Sequence, residues 1–316
     1  MQYGTVSGVT KPVSRLVQGT VMVGSAEPDM YMPLLDDVFE QGCNTFDTAH
    51  IYNGGENERG VGRWVNSRGI RDKVVIIGKG AHHNPDRKRV TPYDITADIC
   101  DSLARFKFDY IDLYLLHRDD PSVPVGPIVE TLNEHMKAGR IHAFGGSNWS
   151  AARVREANTY AAEHGPTPFV ASSPQFSLVE MIQEPWEGCI SIGGPKSVSD
   201  RAWYREQGLH LFTWSALAGG FLSGRLTRAN ASEHAETLYH QSYMSPANLD
   251  RLDRAFELAK KKGITVPQLA LAWLLNQPLN LFPLVAAYSG EEFRMLSKAL
   301  EIKLTEEELA WLEGSA

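Results

Sequence analysis

Short apolar runs rich in β-branched and aromatic residues recur along this chain, and each precedes a segment with helical periodicity. VSRLVQGT precedes a helix predicted over Met30–Gln41, NTFDT one over Glu56–Asn66, and KVVIIGKG one over Pro92–Phe106. YIDLYLLH leads to Val125–Lys137, IHAFGGSN to Ala151–His164, and FVASSPQF to Asp200–Gln207. LHLFTWS leads to Asn248–Lys262, and LFPLVAA to the closing helices. These eight strand–helix alternations mostly repeat every ~30–40 residues, the pitch of a βα unit. The runs are apolar throughout, as suits parallel strands buried on both faces. Eight such units read as a (β/α)8 TIM barrel. An open doubly wound sheet is the alternative. It would normally carry G-x-G-x-x-G after its first strand, and that spacing is absent.

A chain of 316 residues with 43% hydrophobic content can bury one large core. α/β barrels of this size are single domains, so residues 1–316 are expected to form one. The net charge of −7 and pI near 5.8 weigh against nucleic-acid or anionic-membrane partners, which favour a basic face. Cys43, Cys100 and Cys189 are odd in number and far apart, the pattern of a reducing compartment without structural zinc. The start MQYGTVSGVTKP lacks the apolar core of a signal peptide, and runs such as LALAWLL are too short to span a bilayer. A soluble cytoplasmic globule is the expectation. The polar stretch Gly219–Pro246 reads as the longest irregular segment. A loop of that length in a compact domain is usually a functional lid.

In such a barrel, chemistry sits where strands end and the following loops begin. The unusual polar residues fall there. Asp47 follows NTF, Lys79 follows VVIIG, and His117 follows YIDLYLL. Ser147 and Asn148 follow IHAFGG, Gln175 follows FVASSP, and Trp214 and Ser215 follow LHLFT. Each alone has a plainer explanation. A strand-ending lysine is usually a solvated charge, a histidine after an apolar run usually a satisfied core residue, and Ser-Asn after Gly-Gly an ordinary helix cap. Independent caps would not all converge on one face of one barrel.

Asp47, His50 and Tyr52 lie within six residues of each other. A free phenol, with a pKa of ~10, is too weak an acid to protonate a developing alkoxide well at neutral pH. A nearby ammonium lowers that pKa, and a carboxylate holds the ammonium in place. A histidine can hydrogen-bond the substrate oxygen and orient it. Together these groups suit adding a proton to a carbonyl oxygen while hydride arrives from a cofactor, since no side chain supplies hydride. Ser147, Asn148 and Gln175 offer the donors and acceptors a carboxamide wants, and Trp214 offers a face for a flat ring.

DTAHIYNGGE, IIGKG, LYLLHRDD, GGSNWS and SPQFS follow one another in the order and spacing of the aldo-keto reductase signatures. The chain resembles that family over nearly its whole length. Even MQYGTVSG…VSRLVQGT resembles the hairpin that closes the family's barrel floor. The resemblance implies Tyr52 as general acid, Lys79 as modulator of its pKa, Asp47 as the partner of Lys79, and His117 as substrate orienter. It implies nicotinamide cofactor contacts from Thr20, Asp47, Ser147, Asn148, Gln175 and Trp214. Ser215, Leu217, Gly219 and Arg225 lie on or beside FTWSALAGGFLSGR, which resembles the segment that wraps the pyrophosphate, and Tyr288 completes the set. Two departures stand out. Asn53 occupies a glycine position of the signature. In LVAAYSGEEFRML, Tyr288, Glu292 and Met295-Leu296 replace residues that commonly hold the adenosine and its 2′-phosphate. A carboxylate facing a phosphate repels it. The chain therefore uses NADH, or it holds the 2′-phosphate of NADPH with other cations, for which Arg225, Arg228 and Arg294 are candidates.

Met22, His50, Tyr52, His82, His117, Arg118 and Trp149 are the expected substrate residues, with His83 and Asp119 on the same rim. That polar set with a few aromatics suits a hydroxylated, oxidised-sugar-like aldehyde or ketone better than a steroid. His50, outside the catalytic four, reads as a loop histidine lining the pocket. A broad detoxifying aldehyde reductase is one alternative. A non-enzymatic cofactor sensor, such as the potassium-channel β-subunits that resemble this fold, is another. A metal-dependent hydrolase using His82, His83, His117 and Asp47 is the weakest, because adjacent histidines chelate poorly and no metal is expected. Homo-oligomerisation is compatible with the sequence.

Overall fold

The structure, a computed structural model, describes residues 1–26, 28–234 and 236–314, apart from the side chains of Asp29, Leu238 and Tyr239. The chain opens on a hairpin in which β1 (Tyr3–Val6) pairs antiparallel with β2 (Val9–Ser14). Gly8, at a φ of 84°, makes the turn between them. Beyond this hairpin the strands and helices alternate as expected. The residues form two compact units, one of Met1–Ser173 with Ala286–Gly290 and the other of Pro174–Val285 with Glu291–Ala316.

The first unit continues with β3 (Val17–Gly19), α1 (Pro28–Glu40), β4 (Thr45–Asp47), α2 (Glu56–Arg68) and β5 (Val75–Gly80). It then runs through α3 (Pro92–Phe106), β6 (Ile111–Leu116), α4 (Val125–Lys137), β7 (Ile141–Ser147), α5 (Ala151–His164) and β8 (Ala171–Ser173). Strands β3 to β8 lie side by side in chain order, all parallel. Every residue of β5 and β6 is buried, as expected of strands covered on both faces. Helices α3, α4 and α5 begin and end at the expected residues. Local chemistry explains two of these starts. Thr91 caps α3 by accepting from the Asp94 N–H, with Pro92 in the first turn, and Ser150 caps α5 by accepting from the Arg153 N–H.

The second unit holds α6 (Val198–Gln207), β9 (His210–Leu211), α7 (Ala231–His234), α8 (Leu238–Tyr243), α9 (Pro246–Lys262) and α10 (Val266–Leu275). It continues with β10 (Leu284–Val285), all of α11 (Gly290–Ser297) beyond its first residue, and α12 (Glu306–Glu313). The two strands are short, and the chain around them is joined by bonds such as Leu284 N–H to Thr213 O at 2.9 Å. The Gly219–Pro246 stretch is less irregular than expected. It carries α7 and α8, because Thr237 caps α8 and the buried Asn248 amide donates to the carbonyls of Glu180 and Tyr243, both at 2.7 Å. LALAWLL lies in α10, whose residues from Val266 to Leu274 are buried throughout. Among the described residues no helix is long and apolar enough to cross a membrane.

Helices α2 and α3 meet closely at Gly62. A Cβ on that glycine would strike the backbone of Phe106, whose carbonyl already accepts from Asn66 Nδ2 at 3.0 Å. In an exposed helix, Gly→Ala would gain ~1 kcal/mol of helix propensity. Here the sign reverses. Gly62→Ala is expected to lower the unfolding free energy by about 1–3 kcal/mol, read from urea midpoints. A more stable variant would show that the two helices can separate without loss.

Candidate active site

Register brings the first two groups together. Asp47 at the end of β4 pairs with Ile77 on β5, so Lys79 lies two residues further along on the same face. The Lys79 ammonium sits 2.5 Å from Asp47 Oδ1 and 2.6 Å from Oδ2, and it also donates to Thr48 O at 3.0 Å. Both residues are 3% exposed. Tyr52 follows on the loop after β4, which is pinned to β5 by Thr48 N–H to Ile77 O and His50 N–H to Lys79 O, each 2.8 Å. Asn53, Gly54 and Gly55, all at positive φ, then turn the chain into α2. Lys79 Nζ lies 5.3 Å from the centre of the Tyr52 ring. His117, held at the end of β6 by its N–H to Gly80 O at 2.7 Å, meets the Tyr52 ring edge-on at 5.8 Å. Its Nδ1 is buried without a hydrogen-bond partner. The expected catalytic four thus converge.

Burial dominates their electrostatics. It raises the Tyr52 phenol above its ordinary range, and the charge and hydrogen bond of Lys79 only partly offset this. The lowering influence expected of Lys79 is present, but burial is the larger effect. Lys79 limits a rise that burial imposes. Burial also opposes the Lys79 ammonium, but Asp47 and Tyr52 outweigh it and hold the amine above its ordinary value. His117 is driven well below the usual imidazole range by burial, with the charges of Lys79 and Arg118 adding to the shift. His82, whose ring stands 4.9 Å from that of His117, is lowered by burial to about 4. Two neutral imidazoles and a protonated phenol face one another at neutral pH.

The residues expected at a nicotinamide occur on both units. In the first, Ser147 Oγ donates to Ser173 O at 3.2 Å, and Asn148 Nδ2 lies 3.3 Å from Ser147 Oγ and 3.4 Å from His117 O. Asn148 adopts a left-handed φ of 56°. Thr20 is buried, with its hydroxyl on Asp47 O at 2.8 Å, while Tyr288 is 72% exposed. In the second unit, Gln175 Oε1 accepts from Ser191 Oγ at 2.6 Å and its Nε2 donates to Ser177 Oγ at 2.9 Å. An amide has two donors and two acceptor sites, so one of each remains for a carboxamide. Trp214, Ser215 and Leu217 are half-buried, and Gly219 and Arg225 are exposed. Ser215, Ala218, Gly219 and Gly220 all have positive φ. Within each unit taken by itself, these are donors and acceptors of the kind that suits a carboxamide or a phosphate. Arg228 does not fit the 2′-phosphate role, because Asp250 and Asp253 each hold it at 2.6 Å. Arg225 and Arg294 are both exposed.

The structure places the expected substrate residues in different surroundings. Met22 and His82 are half-buried, and His117 and Tyr52 meet as described. His50 turns instead to α3, with Nε2 at 3.3 Å from Asp101 and 3.6 Å from Asp98, while its carbonyl accepts from Arg105 at 2.9 Å. Trp149 is fully buried. Its Nε1 donates to Arg118 O at 3.1 Å, and its ring packs against Phe169 at 5.1 Å and the Arg153 guanidinium at 5.4 Å. No face is left for a sugar. Arg118 is 7% exposed and donates to His117 O at 2.9 Å, Asp119 pairs with Arg153 at 3.2 Å, and the His83 ring lies tilted 4.2 Å from that of His82. Two contributors escaped the sequence reading. Asp98, 1% exposed, accepts the Ala81 N–H at 2.7 Å just beyond Lys79. Asn57, fully buried, donates to Thr20 Oγ1 and Val23 O at 3.1 and 3.2 Å. A carboxylate on the apolar face of α3 was the available signal for Asp98. Among the described residues, no group of three or more His, Cys, Asp or Glu side chains is placed to hold a metal.

The Aldo/keto reductase family model matches residues 15–316. The chain belongs to the aldo-keto reductase family. YrpG, an uncharacterized oxidoreductase of Bacillus subtilis (strain 168), is 29% identical over 325 residues, covering 99% of this chain and 95% of that one. A probable aryl-alcohol dehydrogenase of Saccharomyces cerevisiae is 26% identical over 310 residues, covering 92% and 89%. The crystal structure of a thermostable aldo-keto reductase in complex with the inhibitor epalrestat superposes with a TM-score of 0.76 at 23% identity, covering 100% of both chains. That likeness shows the fold, a (β/α)8 barrel with an N-terminal hairpin. This aldo-keto reductase is an oxidoreductase acting on small-molecule carbonyl and alcohol groups, with a nicotinamide cofactor.

The depressed histidines carry a direct test. A lowered pKa keeps imidazole neutral until the pH falls through the lowered value. In nitrogen-15 spectra of the cofactor-free reductase, His82 should gain its proton only near pH 4, and His117 should be neutral throughout the neutral range. A titration of either ring near the ordinary value of 6.5 would show that water reaches the site.

Proposed function

We propose that this reductase transfers a proton from Tyr52 to the carbonyl oxygen of its substrate. His117 orients that oxygen, and Lys79, held by Asp47, keeps the phenol able to release its proton. The carrying observation is the buried Asp47–Lys79 pair at 2.5 Å, with the Tyr52 ring 5.3 Å from the ammonium and the His117 ring edge-on to it. When bound, the nicotinamide supplies hydride. The residues assigned to holding it are Ser147 and Asn148 in the first unit, with Gln175 and the loop from Trp214 in the second. Both NADPH and NADH suit this assignment, and Arg225 and Arg294 are the cations proposed for a 2′-phosphate. The continuous family match across residues 15–316 supports one functional domain. None of the three cysteines is in a disulfide, which supports a cytoplasmic setting.

For the substrate, a hydroxylated aldehyde or ketone such as an oxidised sugar is supported by the imidazoles of His82 and His117 beside Tyr52. A second reading, an aromatic carbonyl, is favoured by the exposed apolar side chains of Val21 (47%) and Ile51 (42%) next to the Met22 and Tyr52 positions. The name of the yeast relative points the same way. The enclosure of Trp149 weakens the sugar reading. Buried polar groups penalise a ligand that leaves them unpaired. If those groups face substrate, a keto- or dialdo-sugar should exceed benzaldehyde in kcat/KM. A tenfold or greater advantage for benzaldehyde establishes the aromatic reading.

The proton donor is tested by Tyr52→Phe, which keeps the ring and removes the acid. Turnover should fall by about 10²–10⁴-fold while cofactor binding persists. Lys79→Met removes the largest influence that lowers the phenol, so activity should fall and the alkaline limb of the pH–rate profile should shift upward. A Tyr52→Phe enzyme keeping more than about a tenth of its activity would transfer the role to His117. An unshifted profile in Lys79→Met would remove Lys79 from the mechanism.

A further inference from the structure

Asn53 stands directly after Tyr52, at the glycine position of the family signature. Its backbone is left-handed, with φ 51° and ψ 37°, a conformation that asparagine tolerates better than most residues. The substitution therefore keeps the turn that a glycine would make, and it adds an amide that glycine lacks. That amide is used. Asn53 Nδ2 donates to Val21 O at 3.1 Å and to Val23 O at 3.2 Å.

The segment it grips follows β3 and carries Val21, 47% exposed, and the half-buried Met22. The base of this segment is already fixed. Thr20 donates through its N–H and its hydroxyl to Asp47 O, at 3.0 and 2.8 Å, and Asn57 binds Thr20 and Val23 from beneath. Those ties hold Thr20 and Val23. The Asn53 amide adds a hold on the carbonyl of Val21, between them. It joins the rim to the turn that bears Tyr52.

We propose that Asn53 is a positioning residue that ties the Val21–Val23 rim to the Tyr52 turn and thereby sets how tightly substrate is held. The proposal rests on Tyr52 marking the active site. A rim contact made equally in the bound and transition states changes KM and leaves kcat alone.

Two variants separate the tether from the backbone. Asn53→Gly retains the left-handed turn and loses the amide. Asn53→Asp also tolerates the turn, but its carboxylate cannot donate. Both should raise KM by roughly three- to tenfold, the scale of one lost hydrogen bond, with kcat within about twofold and an unchanged pH–rate profile. Hydrogen exchange of the segment 20–24 in the same variants should quicken, while exchange in β5 and β6 stays as in the wild type. Unchanged exchange overturns the tether whatever the role of Tyr52. Faster exchange with an unchanged KM overturns the link to substrate. A wild-type KM in Asn53→Gly alone would reduce the residue to its φ. Tyr52→Phe, assayed alongside on the same substrate, reports separately on the underlying reading.

Discussion

The ion pair between Asp47 and Lys79 is the constraint on which the site depends. Neither charge is stable alone at 3% exposure, since burial favours the neutral form of each. Removing one partner from such a pair costs about 3–5 kcal/mol, because the other is left charged and buried. The fold makes the pair affordable by position. Adjacent parallel strands place the carboxylate and the amine on one face at their carboxyl ends, and the carbonyl of Thr48 takes another ammonium proton at 3.0 Å. The same loop then has five residues in which to deliver Tyr52 from Asp47, and its backbone bonds to β5 fix the path.

This arrangement changes how the phenol should be understood. In the proposed role of proton donor Tyr52 must be protonated before it acts, and burial favours that form by raising its pKa. Burial alone would also make the phenolate left after transfer too costly. Lys79 opposes that rise through its charge and its hydrogen bond. The two effects together suit the proposed role, a group that holds its proton at rest and releases it beside an ammonium. His117 complements this by staying neutral. An imidazolium there would add a third charge beside Lys79 and Arg118, and those cations are among the causes that suppress it.

Much of this was legible in the residue order, and the exceptions share a cause. The runs KVVIIGKG and YIDLYLLH announce β5 and β6 because both faces of those strands are covered, so composition alone marks them. The four residues proposed for catalysis are legible because Asp47, Lys79 and His117 lie at strand ends, where the pattern changes, and Tyr52 follows in the loop after β4. Destinations of side chains were harder to read. His50 was assigned to the pocket, yet its partners Asp98 and Asp101 stand 48 and 51 residues away on α3. Trp149 was assigned to the rim, yet Phe169 and Arg153 enclose it. Arg228 is neutralised by two carboxylates of α9. Local periodicity reports which face of an element a residue occupies, and it carries no information about which distant residue waits there.

Backbone strain shows where the requirement for function overrides local preference. Among the described residues, apart from Lys107, which ends α3, the non-glycine residues at positive φ are Asn53, Ala81, Asn148, Ser215 and Ala218. Three of these follow β4, β5 and β7 within a few residues of Tyr52, Lys79 and Ser147. Such conformations each cost of order 1–3 kcal/mol and persist only where neighbours enforce them. The neighbours are identifiable. Asp98 accepts the N–H of Ala81 at 2.7 Å, Ser173 O accepts that of Asn148 at 3.1 Å, and the Asn53 side chain bonds across to Val21 and Val23. After β5 and β7 the chain turns at once through a left-handed residue, Ala81 and Asn148, whereas after β4 the left-handed residue Asn53 comes only after Tyr52. At Ala81 and Asn148 the enforcing hydrogen bond comes from another element, α3 or β8, and at Asn53 it runs to the loop after β3.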